Sequence, residues 1–114
     1  HERASRPYSA EFAALEPSRA EVDARPGLTA IEFGAPWCPH CSAAQAPLKG
    51  WLEGRDSISH LKIEDGKGRP LGRSFQVRLW PTLVVLHDGQ EVARVVRPRA
   101  DADLAALVAA TPTT

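Results

Sequence analysis

Hydrophobic and polar positions change period several times along the chain, and each change predicts an element. Ser18-Arg19-Ala20-Glu21 carries the serine–glutamate spacing of a reciprocal helix cap, so a short helix is expected over 18–24. Pro26-Gly27 then breaks it. Leu28, Ala30, Ile31 and Phe33 dominate the next run, the pattern of a strand covered on both faces. From Cys38 the composition turns helical through Ala43, Ala44, Gln45, Ala46, Leu48, Trp51 and Leu52, with Gly54 marking the end. Pro47 falls inside this helix and is expected to kink it, because proline has no N–H to donate. Apolar and polar residues alternate over 58–63, which reads as a strand.

The second half is shorter in its elements. A short helix is expected over 69–75, with Leu71 and Phe75 on one face. Thr82-Leu83-Val84-Val85-Leu86 is a buried strand, Asp88-Gly89 a hairpin turn, and 91–96 its antiparallel partner. Leu104, Leu107 and Val108 make the inward face of a closing helix over 101–110. The first half therefore supplies a strand–helix–strand unit with parallel pairing, and the second a hairpin with a covering helix. The fold class is α/β. The domain is expected over 18–114, preceded by a loosely ordered segment, 1–17.

Composition narrows the function classes. A chain of 114 residues with 43% hydrophobic residues can bury one core without disulfide staples. Lys plus Arg and Asp plus Glu both number 14, and zero net charge argues against a general nucleic-acid binder. No apolar run approaches the roughly 20 residues that span a bilayer. The start is charged and lacks an apolar signal core.

The chain has 2 cysteines, and they sit in Cys38-Pro39-His40-Cys41. Closing so short a loop would stabilise by only about 2 kcal/mol, so the spacing points to chemistry rather than stapling. Cys38 opens a helix directly after a strand. Its sulfur then faces free N–H groups and the positive end of the helix dipole, which favour a thiolate nucleophile. Cys41, one turn later, is within disulfide reach and is the resolving thiol.

Trp37-Cys38-Pro39-His40-Cys41 resembles the active site of thioredoxin-like proteins. Trp80-Pro81-Thr82 resembles the loop that holds that family's cis-proline beside the disulfide. The similarity covers about residues 28–110. It implies the thioredoxin fold, a central mixed β-sheet flanked by helices, and protein thiol–disulfide exchange as the activity. It also implies a cis bond before Pro81, leaving the Trp80 backbone free to pair with an extended substrate. Trp37, Pro39, Trp80 and Pro81 would form the apolar substrate-binding surface. His40 would stabilise the Cys38 thiolate, since Pro-His between the cysteines is typical of the family's disulfide oxidases. Glu32 stands where the family usually buries an aspartate that relays a proton to the resolving cysteine. His60 falls near the lysine that often pairs with that acid. Read from the strand alone, Glu32 is a buried, unpaired carboxylate whose loss of hydration costs stability. Arg97-Pro98-Arg99 replaces a glycine common where substrate approaches, and raises a preference for acidic substrates.

Two other readings fit the same residues. Cys38 and Cys41 could hold Cu(I), or zinc with His40 and another ligand, although one cysteine pair is half of a usual structural zinc site. A peptide-binding module without turnover is the second. The redox reading needs no cofactor beyond the Cys38–Cys41 disulfide. It implies protein thiols and disulfides as substrates and a reductase or glutathione as redox partner. It further implies a monomer that uses neither nucleic acid nor membrane. The absence of structural cysteines leans toward the cytoplasm, with the periplasm the alternative if a signal peptide has been removed.

Overall fold

The computed structural model of the chain describes residues 8–53, 55 and 57–110. In chain order the elements are α1 (Arg19–Asp23), β1 (Leu28–Gly34), α2 (Pro39–Leu52), β2 (Ile58–Glu64), α3 (Pro70–Ser74), β3 (Thr82–His87), β4 (Gln90–Val96) and α4 (Asp101–Ala110). They form one four-stranded sheet in the order β2-β1-β3-β4. β1 pairs parallel with β2 and antiparallel with β3, and β3 pairs antiparallel with β4. The sheet is therefore mixed, with β1 and β3 inside it.

Local chemistry explains the element ends. Ser18 Oγ accepts from the Glu21 N–H at 3.0 Å, and Glu21 Oε1 accepts from the Ser18 N–H at 2.8 Å, which is the expected reciprocal cap. The β3–β4 turn places Asp88 at φ 51° and Gly89 at φ 84°, both left-handed as a two-residue hairpin of this kind requires. A Cβ on Gly89 would come within 1.9 Å of the Asp23 carbonyl oxygen, so position 89 tolerates no side chain. α2 runs on through Pro47 to Leu52. Gly54 and the side chain of Val108 lie outside the described residues.

All seven residues of β1 are buried, which is why the sequence shows no clean alternation there. On one face, Ile31 and Phe33 pack with Val22, Ile63, Leu71, Phe75, Val84 and Leu86 under α1 and α3. On the other, Leu28 and Ala30 pack with Ala44, Leu48, Trp51, Leu52, Leu104 and Leu107 from α2 and α4. Glu32 shares this second face by the two-residue period of a strand. The register sets Ala30 opposite His60 and Glu32 opposite Lys62 on β2. Residues 8–17 hold no helix or strand; they lie against the sheet through the Ala13 N–H, which donates to the Lys62 carbonyl at 2.8 Å.

Candidate active site

Cys38 has extended backbone (φ −87°, ψ 118°) and is the N-cap of α2, with Pro39 in the first turn. Proline suits that place because its missing N–H would have had no helical partner. The Cys38 sulfur accepts from the Cys41 N–H at 3.2 Å. It thus fills the role of an N-cap side-chain oxygen, using one of the free donors at the positive end of the helix. Both cysteines are free thiols here and both are buried. They cluster with Ala35, and Trp80 packs against them.

Cys41 is as buried as Cys38 and lies against Gly34 at the end of β1. A Cβ on Gly34 would stand 2.6 Å from the Cys41 sulfur, so the glycine ending β1 creates the space the second thiol occupies. Burial, then the hydrogen bond with Cys38, then the charges of Cys38 and Glu32 push the Cys41 thiol up to about 12. Cys41 is therefore a thiol, not a thiolate, at neutral pH. A resolving thiol so placed needs a local proton acceptor.

Glu32 is fully buried on β1, and it is not unpaired. Its side chain and that of His60 are each 0% exposed, and His60 Nε2 lies 3.1 Å from Glu32 Oε1. Gln45 Nε2 donates to Glu32 Oε2 at 2.8 Å and to the Cys41 carbonyl at 2.7 Å, tying the acid to the resolving cysteine's turn. The expectation that burying Glu32 carries an uncompensated cost is therefore corrected, because two donors meet the carboxylate. Gln45 Oε1 in turn accepts from Tyr8 Oη at 2.6 Å and Lys62 Nζ at 3.1 Å.

The opposite side of the cysteine pair is apolar and open. Trp37 is 72% exposed, and its ring meets that of Trp80 edge-on at 5.4 Å. Trp80 Nε1 donates to Asp65 Oδ2 at 2.8 Å, which fixes the ring. Pro39 is exposed, Pro81 is buried, and the Trp80–Pro81 bond is cis. His40 is half-buried on the first turn of α2. Arg97, at φ 53°, donates its N–H to the Pro81 carbonyl at 2.8 Å and Nε to the Trp80 carbonyl at 2.9 Å. The Trp80 carbonyl, expected to be free for a substrate strand, already holds this guanidinium.

Sequence reasoning singled out the two cysteines, Glu32 and His60, which the fold brings together, but not Gln45, Lys62, Tyr8 or Gly34. Gln45 had a signal: it sits four residues after Cys41, on the same face of α2. Among the described residues no group of three or more His, Cys, Asp or Glu side chains is placed to hold a metal ion. No helix among them is long and apolar enough to cross a membrane.

A family model described as thioredoxin matches residues 14–110. Among solved structures, thioredoxin 2 from Pseudomonas aeruginosa in its reduced form is 50% identical, with a TM-score of 0.78 over 89% of this chain and 94% of that one. A mutant thioredoxin from Halobacterium salinarum is 26% identical, with a TM-score of 0.66 over 82% of this chain and 83% of that one. Protein disulfide isomerase-like 5-1 from Oryza sativa is 31% identical over 60% of this chain. The chain spans 49%, 34% and 39% of the first three curated relatives it matches.

Proposed function

The chain belongs to the thioredoxin family, and we propose that it is a protein thiol–disulfide oxidoreductase working through Cys38 and Cys41. The Cys38 thiolate attacks one sulfur of a substrate disulfide. A Cys38–substrate disulfide forms and the other substrate sulfur leaves as thiolate. Cys41 then loses its proton and attacks the Cys38 sulfur. The Cys38–Cys41 disulfide forms, the second substrate thiolate leaves, and two electrons have passed to the substrate. Run backward, the same steps donate a disulfide. The couple requires no other cofactor. A reductase or glutathione returns it to the dithiol.

The observation that carries this reading is the division of labour at the head of α2. The Cys38 sulfur sits at the helix end on a helix N–H, while the Cys41 thiol is held protonated behind it, beside a buried acid. Trp37, Pro39, Trp80 and Pro81 supply the apolar surface for extended protein segments, and His40 adds a polar neighbour on the nucleophile's turn. Insulin reduction by dithiothreitol tests it. Catalysis above background is expected, abolished by Cys38→Ser, with Cys41→Ser accumulating a protein–insulin mixed disulfide. A rate equal to background in the intact chain would leave a peptide-binding module instead.

A further inference from the structure

Residues 8–13 cross the polar end of the second sheet face. The Tyr8 ring stacks on His60, with centroids 5.5 Å apart and planes at 22°. The Ser9 N–H donates to His60 Nδ1 at 2.8 Å. Lys62 Nζ donates to the Ala10 carbonyl at 3.1 Å and lies 4.9 Å from the centre of the Phe12 ring. A cavity of about 60 Å³, lined by Phe12, Cys41, Gln45 and Lys62 among others, opens beside the resolving thiol.

The Ser9 contact decides the protonation of the imidazole. A backbone N–H can only donate, so Nδ1 must accept and carries no proton. Nε2 then bears the ring's one proton and donates it to Glu32 Oε1. Doubly protonated imidazole would set two donors head-on at Ser9. Glu32 thus receives two donors, His60 Nε2–H and Gln45 Nε2–H. The titratable groups around it are His60 and Lys62 on β2, Cys38 and Cys41 at the head of α2, and Tyr8 on the crossing segment. Burial and the Glu32 charge hold the Tyr8 phenol above its usual value, so it remains a donor.

We infer that the segment of residues 8–13 is a positioning element of the exchange reaction. Its Ser9 N–H locks His60 as the Nε2–H tautomer, which keeps Glu32 free to accept the Cys41 proton. His60 does not take that proton onward while Ser9 is in place. The catalytic half of this inference rests on the oxidoreductase reading; the tautomer half does not.

The test uses the full chain and two variants. Ser9→Pro removes the N–H, and the conservative Ser9→Ala keeps it. Imidazole ¹⁵N–¹H correlation spectra of the dithiol protein between pH 5 and 9 should show one Nε2–H tautomer in the parent and in Ser9→Ala. Ser9→Pro should gain the Nδ1 proton at the acid end. An imidazolium beside Glu32 competes with the Cys41 proton for the carboxylate, so resolution of a Cys38 mixed disulfide should slow in Ser9→Pro by about threefold at pH 6. The rates should converge by pH 8, and Ser9→Ala should follow the parent. An Nδ1–H tautomer in the parent overturns the inference whether or not Ser9→Pro folds. So does a Ser9→Pro profile that matches the parent's. A parent that shows the tautomer but no insulin reduction would overturn the catalytic half along with the oxidoreductase reading, and leave the lock on His60 standing.

Discussion

The two faces of the sheet are built on the same strand and do different things. β1 sends Ile31 and Phe33 toward α1 and α3, into a wholly apolar cluster. It sends Ala30 and Glu32 the other way, toward α2 and α4. That second face begins apolar at Leu28 and Ala30 and ends polar, where Glu32, His60 and Lys62 are buried together. The first face has one task, to exclude water. The second packs at one end and buries a hydrogen-bonded acid at the other. Stability and chemistry should therefore separate by face, although the two sets of residues alternate along one strand.

The largest effect is expected on the apolar face. Phe33 is fully buried and its ring lies 5.8 Å from that of Phe75. Phe33→Ala should cost about 3–5 kcal/mol in urea unfolding, from lost transfer energy and the cavity left behind. Insulin reduction per folded molecule should stay unchanged. If activity fell with stability, the separation by face would be wrong.

Glu32→Gln should do the reverse. The amide keeps the side chain's length but sets an NH₂ where one donor expects an acceptor, which costs about 1–3 kcal/mol. The chemistry should lose more, because removing a general base typically costs about 10²-fold or more. The pH dependence carries the sign. In a mixed disulfide of Glu32→Gln neither Cys38 nor residue 32 adds a charge, and burial, the largest cause, still favours the Cys41 thiol, so its thiolate fraction grows about tenfold per pH unit while the solution stays below its pKa. Without Glu32, mixed-disulfide resolution should follow that rise and regain ground on the parent between pH 7 and 9. Stopped-flow resolution rates at several pH values measure this. A constant deficit at every pH would show that Glu32 positions Cys41 without taking its proton.

How much of this was legible in the sequence depends on whether a residue's role is local. The cysteine pair, the capping box, the Asp88-Gly89 turn and the Trp80-Pro81 loop are written in consecutive residues, and the structure has them where they were expected. Burial of Glu32 was legible too, because it interrupts an apolar run. Of its two partners, His60 came from the family resemblance and Gln45 was missed. His60 reaches it through the β1–β2 register, which sets Ala30 against His60 and Glu32 against Lys62. A strand reading Ile-Ser-His-Leu-Lys-Ile alternates in polarity, yet its His60 and Lys62 point inward with Ile58. Tyr8 arrives from 37 residues before Gln45. Gly34 is needed because of a sulfur seven residues later that folds back on it. No local period encodes such contacts.

The smallest effect tests whether the polar end behaves as a unit. Gln45 Oε1 accepts from two donors, Tyr8 Oη and Lys62 Nζ. Tyr8→Phe removes one and keeps the ring that stacks on His60. The oxygen still has Lys62, so nothing buried is left unpaired, and the cost should be only about 0.5–1.5 kcal/mol. Lys62→Met removes the other donor, with its bond to Ala10, and again leaves Gln45 one partner. The double variant leaves that oxygen with neither. Gln45 is half-buried, so leaving its oxygen without a protein partner should cost the double variant about 1 kcal/mol more than the sum of the singles. Gln45 would also be free to turn its amide, releasing Glu32 and the Cys41 carbonyl. Resolution of the mixed disulfide should then slow in the double variant and hold in Tyr8→Phe alone. Strict additivity in urea unfolding would mean that Gln45 finds water once its partners go. The polar end would then be a set of separate bonds rather than one network holding the acid to the thiol.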